Sequence, residues 1–215
     1  MGSLMNILAI GAHFDDVELG CGGTLAKHFS NGDKVYVFVA TDSGYSDQNA
    51  VVVRSDKTAM DEAKNAMAIL GAELLICGNF KTLQVEFTDP LNISIIKLVE
   101  KYKIDRVYTH WAGDVHHDHQ AVSKATLHSC RHVPQILMYR SNWYYSSNDF
   151  KGNYCIDISE FWEVKKKAIA CHVSELERTA YKWMNFFDNE AINCGQRLGV
   201  ERAESFEIVK FLERN

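Results

Sequence analysis

The sequence predicts a layered α/β domain. Short apolar runs that read as strands alternate with helical patterns from the N-terminus onward, which implies right-handed parallel crossovers. The 215 residues fit one domain over 1–215. A hydrophobic share of 47% with 24% charged residues is ordinary for a soluble globular chain, so a packed core is affordable.

The elements follow in order. "MNILAIGA" is a short apolar run ending in glycine and reads as a buried strand. "GGTLAKHFSNG" reads as a helix closed by Gly32, and "DKVYVFVAT", rich in valine and aromatics, as a second strand. "TDSGYSDQN" has turn chemistry and is expected to be a polar loop. "SDKTAMDEAKNAMAILG" is a helix that Ser55 or Asp56 can cap and Gly71 can end. "AELLICG" is a third strand. "DPLNISIIKLVEKYK" is a helix with Pro90 at its entry. "IDRVYTHW" is a fourth strand, "HDHQAVSKATLHSCRH" a helix and "QILMYR" a fifth strand. Beyond it, "YCIDI" reads as a strand, "SEFWEVKKKAIACH" as a helix, and "SELERTAYKWMNFF" as its helical continuation. "ESFEIVKFLE" fits strand or helix.

Two charged clusters fall just after predicted strands: "AHFDD" and "HWAGDVHHDH". In open α/β sheets, ligands bind beyond the carboxyl ends of the strands. The two clusters are therefore expected at one edge. The first offers His13, Asp15 and Asp16; the second offers Asp114, His116, His117, Asp118 and His119. Two imidazoles and a carboxylate around an open position make a catalytic zinc site. His13 and Asp16, three apart at a strand-to-helix turn, can bend toward one point, and one histidine of the second cluster would complete the set. Asp15, between them, can take a proton from an attacking water. A second histidine can stabilise charge on a substrate oxygen. The glycines of "GCGGT" let backbone approach a bound substrate closely, or open a helix without a Cβ clash.

Each cluster alone has a plainer explanation. Asp15 and Asp16 suit a helix entrance, where the dipole favours anions. "HHDH" suits a polar helix start with solvated histidines. Both clusters at strand ends of one α/β chain favour a site instead. A dinucleotide fingerprint is disfavoured, because the glycines do not follow G-x-G-x-x-G and carboxylates occupy the approach. An H-x-H-x-D-H hydrolase motif would require histidine where Asp114 stands.

The net charge of −5 and the absence of a basic stripe argue against nucleic-acid binding. The six cysteines (Cys21, Cys77, Cys130, Cys155, Cys171 and Cys194) form no C-x-x-C pair and read as reduced thiols used as small hydrophobes. No apolar run reaches the roughly 18 residues of a membrane span. The N-terminus has neither the basic segment nor the long apolar core of a leader, so a cytoplasmic location is expected.

The motifs resemble those of the PIG-L/LmbE-like zinc N-deacetylases. "AHFDDVELGCGGT" is similar to that family's A-H-P-D-D-x-x-x-G-x-G-G, and "HHDHQAV" to its H-P-D-H segment. "KKKAIACHVSEL" is similar to K-x-x-x-L-x-x-H-x-S-Q, and "GQRLGVERAESF" to G-x-x-x-G-x-x-x-A-E-x-F. The likeness thus spans nearly the whole chain. It implies a Rossmann-like three-layer α/β/α sandwich with a mostly parallel sheet. It implies Zn2+ held by His13, Asp16 and His119, and Asp15 as general base. It implies that His116 polarises the carbonyl or protonates the leaving amine, with Asp118 orienting His116. The implied reaction removes the acetyl group of an N-acetylated amino sugar, giving free amine and acetate.

This chain departs from the pattern at Phe14 and His117, which replace prolines, and at Glu175, which replaces glutamine. His117 is thereby a further candidate ligand. Arg54, where the family often has a substrate-facing arginine, is expected to hold an oxyanion or phosphate. Arg140, at a strand end, and His172, the family's late histidine, are further candidates for substrate contact. Asp42, Ser43 and Tyr45 are expected at the pocket rim. Trp143, Tyr144 and Tyr145 suit stacking on a sugar, or a core or oligomer contact. His28, His128 and His132 are expected on solvated helix surfaces. The partner is thus a small-molecule amino sugar, free, nucleotide-linked or conjugated, with a homo-oligomer compatible. The rival from another class is a non-catalytic metal- or sugar-binding domain, which has no need of Asp15.

Overall fold

The computed structural model describes residues 4–213, with 75–79 described as backbone alone. Nine strands and seven α-helices occur among these residues. The chain runs β1 (Asn6–Gly11), α1 (Asp16–Ser30), β2 (Lys34–Thr41), a small antiparallel pair β3 (Tyr45–Ser46) and β4 (Val52–Arg54), α2 (Asp56–Leu70), β5 (Glu73–Phe80) and α3 (Asp89–Tyr102). It continues through β6 (Arg106–His110), α4 (His117–Ser129), β7 (Gln135–Tyr139), β8 (Tyr154–Asp157), α5 (Trp162–Ala170), α6 (Val173–Arg178), α7 (Lys182–Gln196) and β9 (Ala203–Phe211).

Seven strands form one sheet in the order β5-β2-β1-β6-β7-β9-β8. The first five are parallel; β9 runs antiparallel to β7 and β8. Side chains alternate across the strands, and both faces are covered. Ile7, Ala9, Val35 and Val37 face a core shared with α1, α2 and α5. Leu8, Ile10, Phe38 and Val107 face a core shared with α3 and α4. This is the expected three-layer α/β/α sandwich. From β1 the chain winds outward through β2 and β5, then returns to β6 on the other side of β1. β1 and β6 are adjacent, with their following helices on opposite faces. The crevice between their carboxyl ends is the topological switch point, where such folds bind ligands.

Several elements differ from the sequence reading. The expected loop at 41–49 enters a short hairpin, which places Arg54 on β4. Helix α1 begins at Asp16 and is bent at Cys21 (φ −145°, ψ 16°). The bend frees the Leu19 carbonyl and the Gly23 and Thr24 amides. Lys165 Nζ donates to Leu19 O at 2.7 Å, and the Glu204 carboxylate accepts Gly23 N at 3.0 Å and Thr24 N at 2.7 Å. Lys165 and Glu204 are themselves paired at 2.6 Å, fully inside the protein. The glycines of "GCGGT" serve packing, not substrate approach. A Cβ on Gly20 would fall 2.1 Å from the Tyr139 ring, and one on Gly23 would fall 2.8 Å from Ile158.

The helix expected to run on through 174–187 breaks between α6 and α7, where Ala180 (φ 49°) and Tyr181 (φ 59°) turn left-handed. The ambiguous last segment is strand β9. His28 is buried, bonded to Asp33 (2.6 Å) and the Tyr108 hydroxyl (2.9 Å), and not solvated; His128 and His132 are exposed as expected. Cys21, Cys130, Cys155, Cys171 and Cys194 are free thiols, the first two buried in the core; the Cys77 side chain lies outside the described residues. No helix among the described residues is long and apolar enough to cross a membrane.

Candidate active site

The loops after β1 and β6 bring the two clusters together. Two imidazole nitrogens and the Asp16 carboxylate converge: His119 Nε2 lies 3.2 Å from Asp16 Oδ1 and 3.3 Å from His13 Nδ1, and His13 Nδ1 lies 3.5 Å from the other oxygen, Asp16 Oδ2. Ligands at zinc distances of about 2.0–2.1 Å in tetrahedral array sit about 3.3–3.4 Å apart. The spacings are close to that figure, and two groups, His13, His116 and His119 and then Asp16, His110 and His119, each gather ligand atoms within 4.8 Å of one another and could hold a cation.

The outer contacts orient each donor. His13 Nε2 is 2.8 Å from Asp118 Oδ2, and His119 Nδ1 is 3.1 Å from Asp114 Oδ2. Each carboxylate takes the distal ring N–H and leaves the inward nitrogen with a lone pair, the usual way a ligating histidine is held. Asp16 is pinned by the backbone amides of Ala12 (3.1 Å) and His13 (2.7 Å) and by the Ser141 hydroxyl (3.0 Å). His110, at the end of β6, lies 3.2 Å from Asp16 Oδ2 and stacks on His119 with ring centroids 3.9 Å apart.

Buried carboxylates give this crevice an unmet demand for positive charge. Burial opposes protonation of His13 and His119, yet Asp118 and Asp16 carry His13 up to about 9, and Asp16 and Asp114 carry His119 up to about 10. The same field favours a metal cation. Burial also resists the charge on Asp16 and Asp114, but the imidazoles hold both carboxyls below the ordinary range.

Asp15 points into the same pocket but binds none of the donors. Its backbone sits at φ 125°, which a non-glycine residue adopts under strain of about 1–3 kcal/mol. Burial, then the charge of Asp16, raises its carboxyl to about 7 against the pull of Arg54. That value suits a group that must both take and return a proton. His116 shares the pocket. Its Nδ1 accepts the Asp118 backbone N–H at 3.2 Å, which leaves Nε2 to carry the proton of the neutral ring. Burial and the neighbouring His13 hold it down at about 4, so the ring is neutral near pH 7.

Some expected roles differ in the geometry. The Asp118 carboxylate faces His13, and it is the Asp118 backbone N–H that meets His116; besides His13 the carboxylate accepts the Leu83 and Val85 amides at 2.7 and 3.0 Å, and the residue has no surface exposure. Arg140 leaves the site altogether. Successive residues of an extended chain point to opposite sides: Ser141 turns in to Asp16, and Arg140 turns out to pair with Glu190. His172 does not line the pocket. It is buried behind it, with Nε2 2.8 Å from Glu18 and Nδ1 3.1 Å from Arg54 Nη2. Arg54 does line the pocket, but Glu62 (2.9 Å), the Phe14 carbonyl (3.1 Å) and His172 hold it, 3.7 Å from Asp15. His117 turns outward to the far oxygen of Asp118 at 2.9 Å, its side chain 56% exposed. Ser43, Tyr45, Trp143 and Tyr144 line the pocket; Asp42 borders an adjoining recess and Tyr145 is fully exposed.

The sequence reading missed His110, Ser141, Arg178 and Trp183, all at or beside the site. His110 was signalled by its place at the end of a predicted strand. Arg178 and Trp183 had no such signal, because they reach the pocket through the turn between α6 and α7.

The fold places both clusters in one crevice at the sheet's switch point, where grouped histidine and aspartate side chains could hold a cation. Residues 8–130 match the PIG-L family, described as GlcNAc-PI de-N-acetylase, and the chain belongs to that family. It is 38% identical over 145 residues to an uncharacterized deacetylase of Escherichia coli K12, YaiS, covering 64% of this chain and 75% of that one. It is 25% identical over 223 residues to the diacetylchitobiose deacetylase of Thermococcus kodakarensis, covering 94% and 82%. Its fold matches the N,N'-diacetylchitobiose deacetylase of Pyrococcus horikoshii with a TM-score of 0.81 at 23% identity, over 95% of this chain and 84% of that one.

Proposed function

We propose that this protein is a zinc-dependent N-deacetylase that hydrolyses the acetamide of an amino sugar. The observation that carries the reading is the convergence of His13 Nδ1, Asp16 and His119 Nε2 beside an Asp15 carboxylate that lines the pocket and touches none of them. A bound ion would supply Lewis-acid activation of the amide carbonyl and of the attacking water.

The chain's own residues do the remaining work. Asp15 accepts the proton of the attacking water at its carboxylate and later returns it to the departing amine. His116 donates its Nε2–H to the carbonyl oxygen as negative charge builds there. The neutral ring makes this contact as a hydrogen-bond donor from Nε2 and keeps its proton. Arg54 sits 3.7 Å from Asp15 and fixes its position through contacts that leave the arginine no freedom. Aromatic side chains Trp143, Tyr144 and Trp183 offer faces for a pyranose ring.

The test is acetate release from N-acetylated free, thiol-linked and nucleotide-linked amino sugars by the zinc-loaded protein, with Asp15→Asn alongside. The variant should keep its metal and lose roughly 10²–10⁴-fold in turnover, the range expected of a general base. Full activity in Asp15→Asn would remove Asp15 from that role. Metal bound with no acetate from any substrate would favour a binding-only domain.

A further inference from the structure

Glu175 stands where the family pattern has glutamine, and its surroundings are those of a charge. It lies in α6 on the pocket wall and is only 3% exposed. Its Oε1 accepts the Tyr45 hydroxyl at 2.8 Å. Its Oε2 accepts Arg178 Nε at 2.7 Å and Nη2 at 2.6 Å. A buried carboxylate needs such a partner, because removing it would strand the charge. Arg178 is thereby committed to the wall, with its guanidinium over the Trp183 ring at 5.6 Å.

The other guanidinium of the pocket, Arg54, is committed too, to Glu62 and the Phe14 carbonyl. Both arginines lining the pocket are charge-paired, Arg54 with Glu62 and Arg178 with Glu175, so neither adds net positive charge to it, although the Arg178 side chain is 41% exposed. What remains for the group attached to the sugar is an aromatic wall. Trp143 and Trp183 meet edge to face at 6.4 Å, and Tyr144 stands 60% exposed at the mouth. Such faces stack on sugar rings and apolar carriers, and they offer nothing to an anion.

The geometry points to Glu175 as a specificity-determining residue: by neutralising Arg178 it makes the pocket choose N-acetyl amino sugars with an uncharged carrier over those bearing a phosphate. This rests on the deacetylase reading of the same site. A glutamine at 175 could keep hydrogen bonds to Tyr45 and Arg178, but it would leave the guanidinium uncompensated and facing the pocket.

The experiment compares methyl N-acetylglucosaminide with N-acetylglucosamine 1-phosphate on the zinc-loaded protein, Glu175→Gln and Arg178→Gln. Acetate release gives kcat/KM, and calorimetry gives binding independently of turnover. The wild type should favour the uncharged sugar by about tenfold or more, the scale of one unscreened charge at a partly exposed site. Glu175→Gln should shrink that preference about tenfold, and Arg178→Gln should widen it. High salt should blunt both changes. Arg178→Gln keeps the test alive if Glu175→Gln does not fold. Equal use of both sugars by the wild type, or a preference that neither variant moves, overturns the assignment. Selective binding of the uncharged sugar without acetate release would sink the deacetylase reading and leave the selectivity standing. Binding of neither sugar counts against both.

Discussion

Asp118 accepts a hydrogen bond from His13 Nε2 at 2.8 Å, joining the loop after β1 to the first turn of α4, 105 residues further along the chain. The bond does for His13 what Asp114 does for His119: it settles which ring nitrogen faces the proposed zinc site. Removing such an outer partner typically costs 10–100-fold in metal affinity. Asp118→Asn is expected to weaken zinc binding by about that factor, measured by competition with a chelating dye. Turnover should recover at saturating zinc, because Asp118 does not face the substrate.

Metal binding should also appear as stability. A ligand that binds only the folded protein adds about 4 kcal/mol at a concentration 1,000 times its Kd. Zinc is therefore expected to raise Tm by several degrees, and chelation to reverse the rise. His119→Ala should abolish the shift, since it removes one of three donors. Thermal denaturation with and without zinc reads this without any substrate, and an unchanged shift in the variant would place the ion elsewhere.

Much of this architecture is legible in the sequence, and the reasons are local. Apolar runs ending in glycine mark β1, and Ser55 and Gly71 mark the ends of α2, because caps and left-handed exits are set by nearby residues. The strand-end rule brings the cluster of His13, Asp15 and Asp16 to the same edge as that of residues 114–119, while the choice of His119 among its histidines rests on the resemblance to the family. It fails one residue later at Arg140, where the direction of an exit from a strand decides between Arg140 and Ser141. It fails at His172 because a histidine beside a site and a histidine in it look alike in sequence; only the contacts with Glu18 and Arg54 separate them. The family's late lysine and glutamate likewise hide their purpose. Lys165 and Glu204 splice the bend in α1, a pairing across 39 residues that no local pattern predicts.

That splice carries its own prediction. Lys165 is buried, and so is Glu204. Breaking one side of a buried ion pair commonly costs 3–5 kcal/mol, because the remaining charge stays uncompensated. Lys165→Met should destabilise the protein by about that amount in urea denaturation, with no change in m-value. The bend in α1 lies five residues from Asp16, so the variant should also bind zinc less tightly. A loss under about 1 kcal/mol would mean that the bend is stable without the lysine.

The pH dependence of stability should carry the mark of His28. Burial, though opposed by the hydrogen bond to Asp33, lowers its pKa below the ordinary 6.5. The unfolded chain then takes up its proton at a higher pH than the folded protein does. Stability from this group is fully present above about pH 6.5 and is lost as pH falls below it, toward the lowered folded value. One such proton gives a slope of at most about 1.4 kcal/mol per pH unit. The carboxylates Asp16, Asp114 and Asp118, lowered from 3.8, act at lower pH; His110 and His116, also lowered, add slopes of the same sign as His28, and Asp15, raised to about 7, opposes them, so only a His28 variant isolates its share. Zinc-saturated protein should thus lose stability between pH 6.5 and 5, measured by denaturant titration at each pH. His28→Gln, which cannot titrate, should be less stable at pH 7.5 yet show a flatter profile through the same interval. An equally steep profile in the variant would assign the slope to another group.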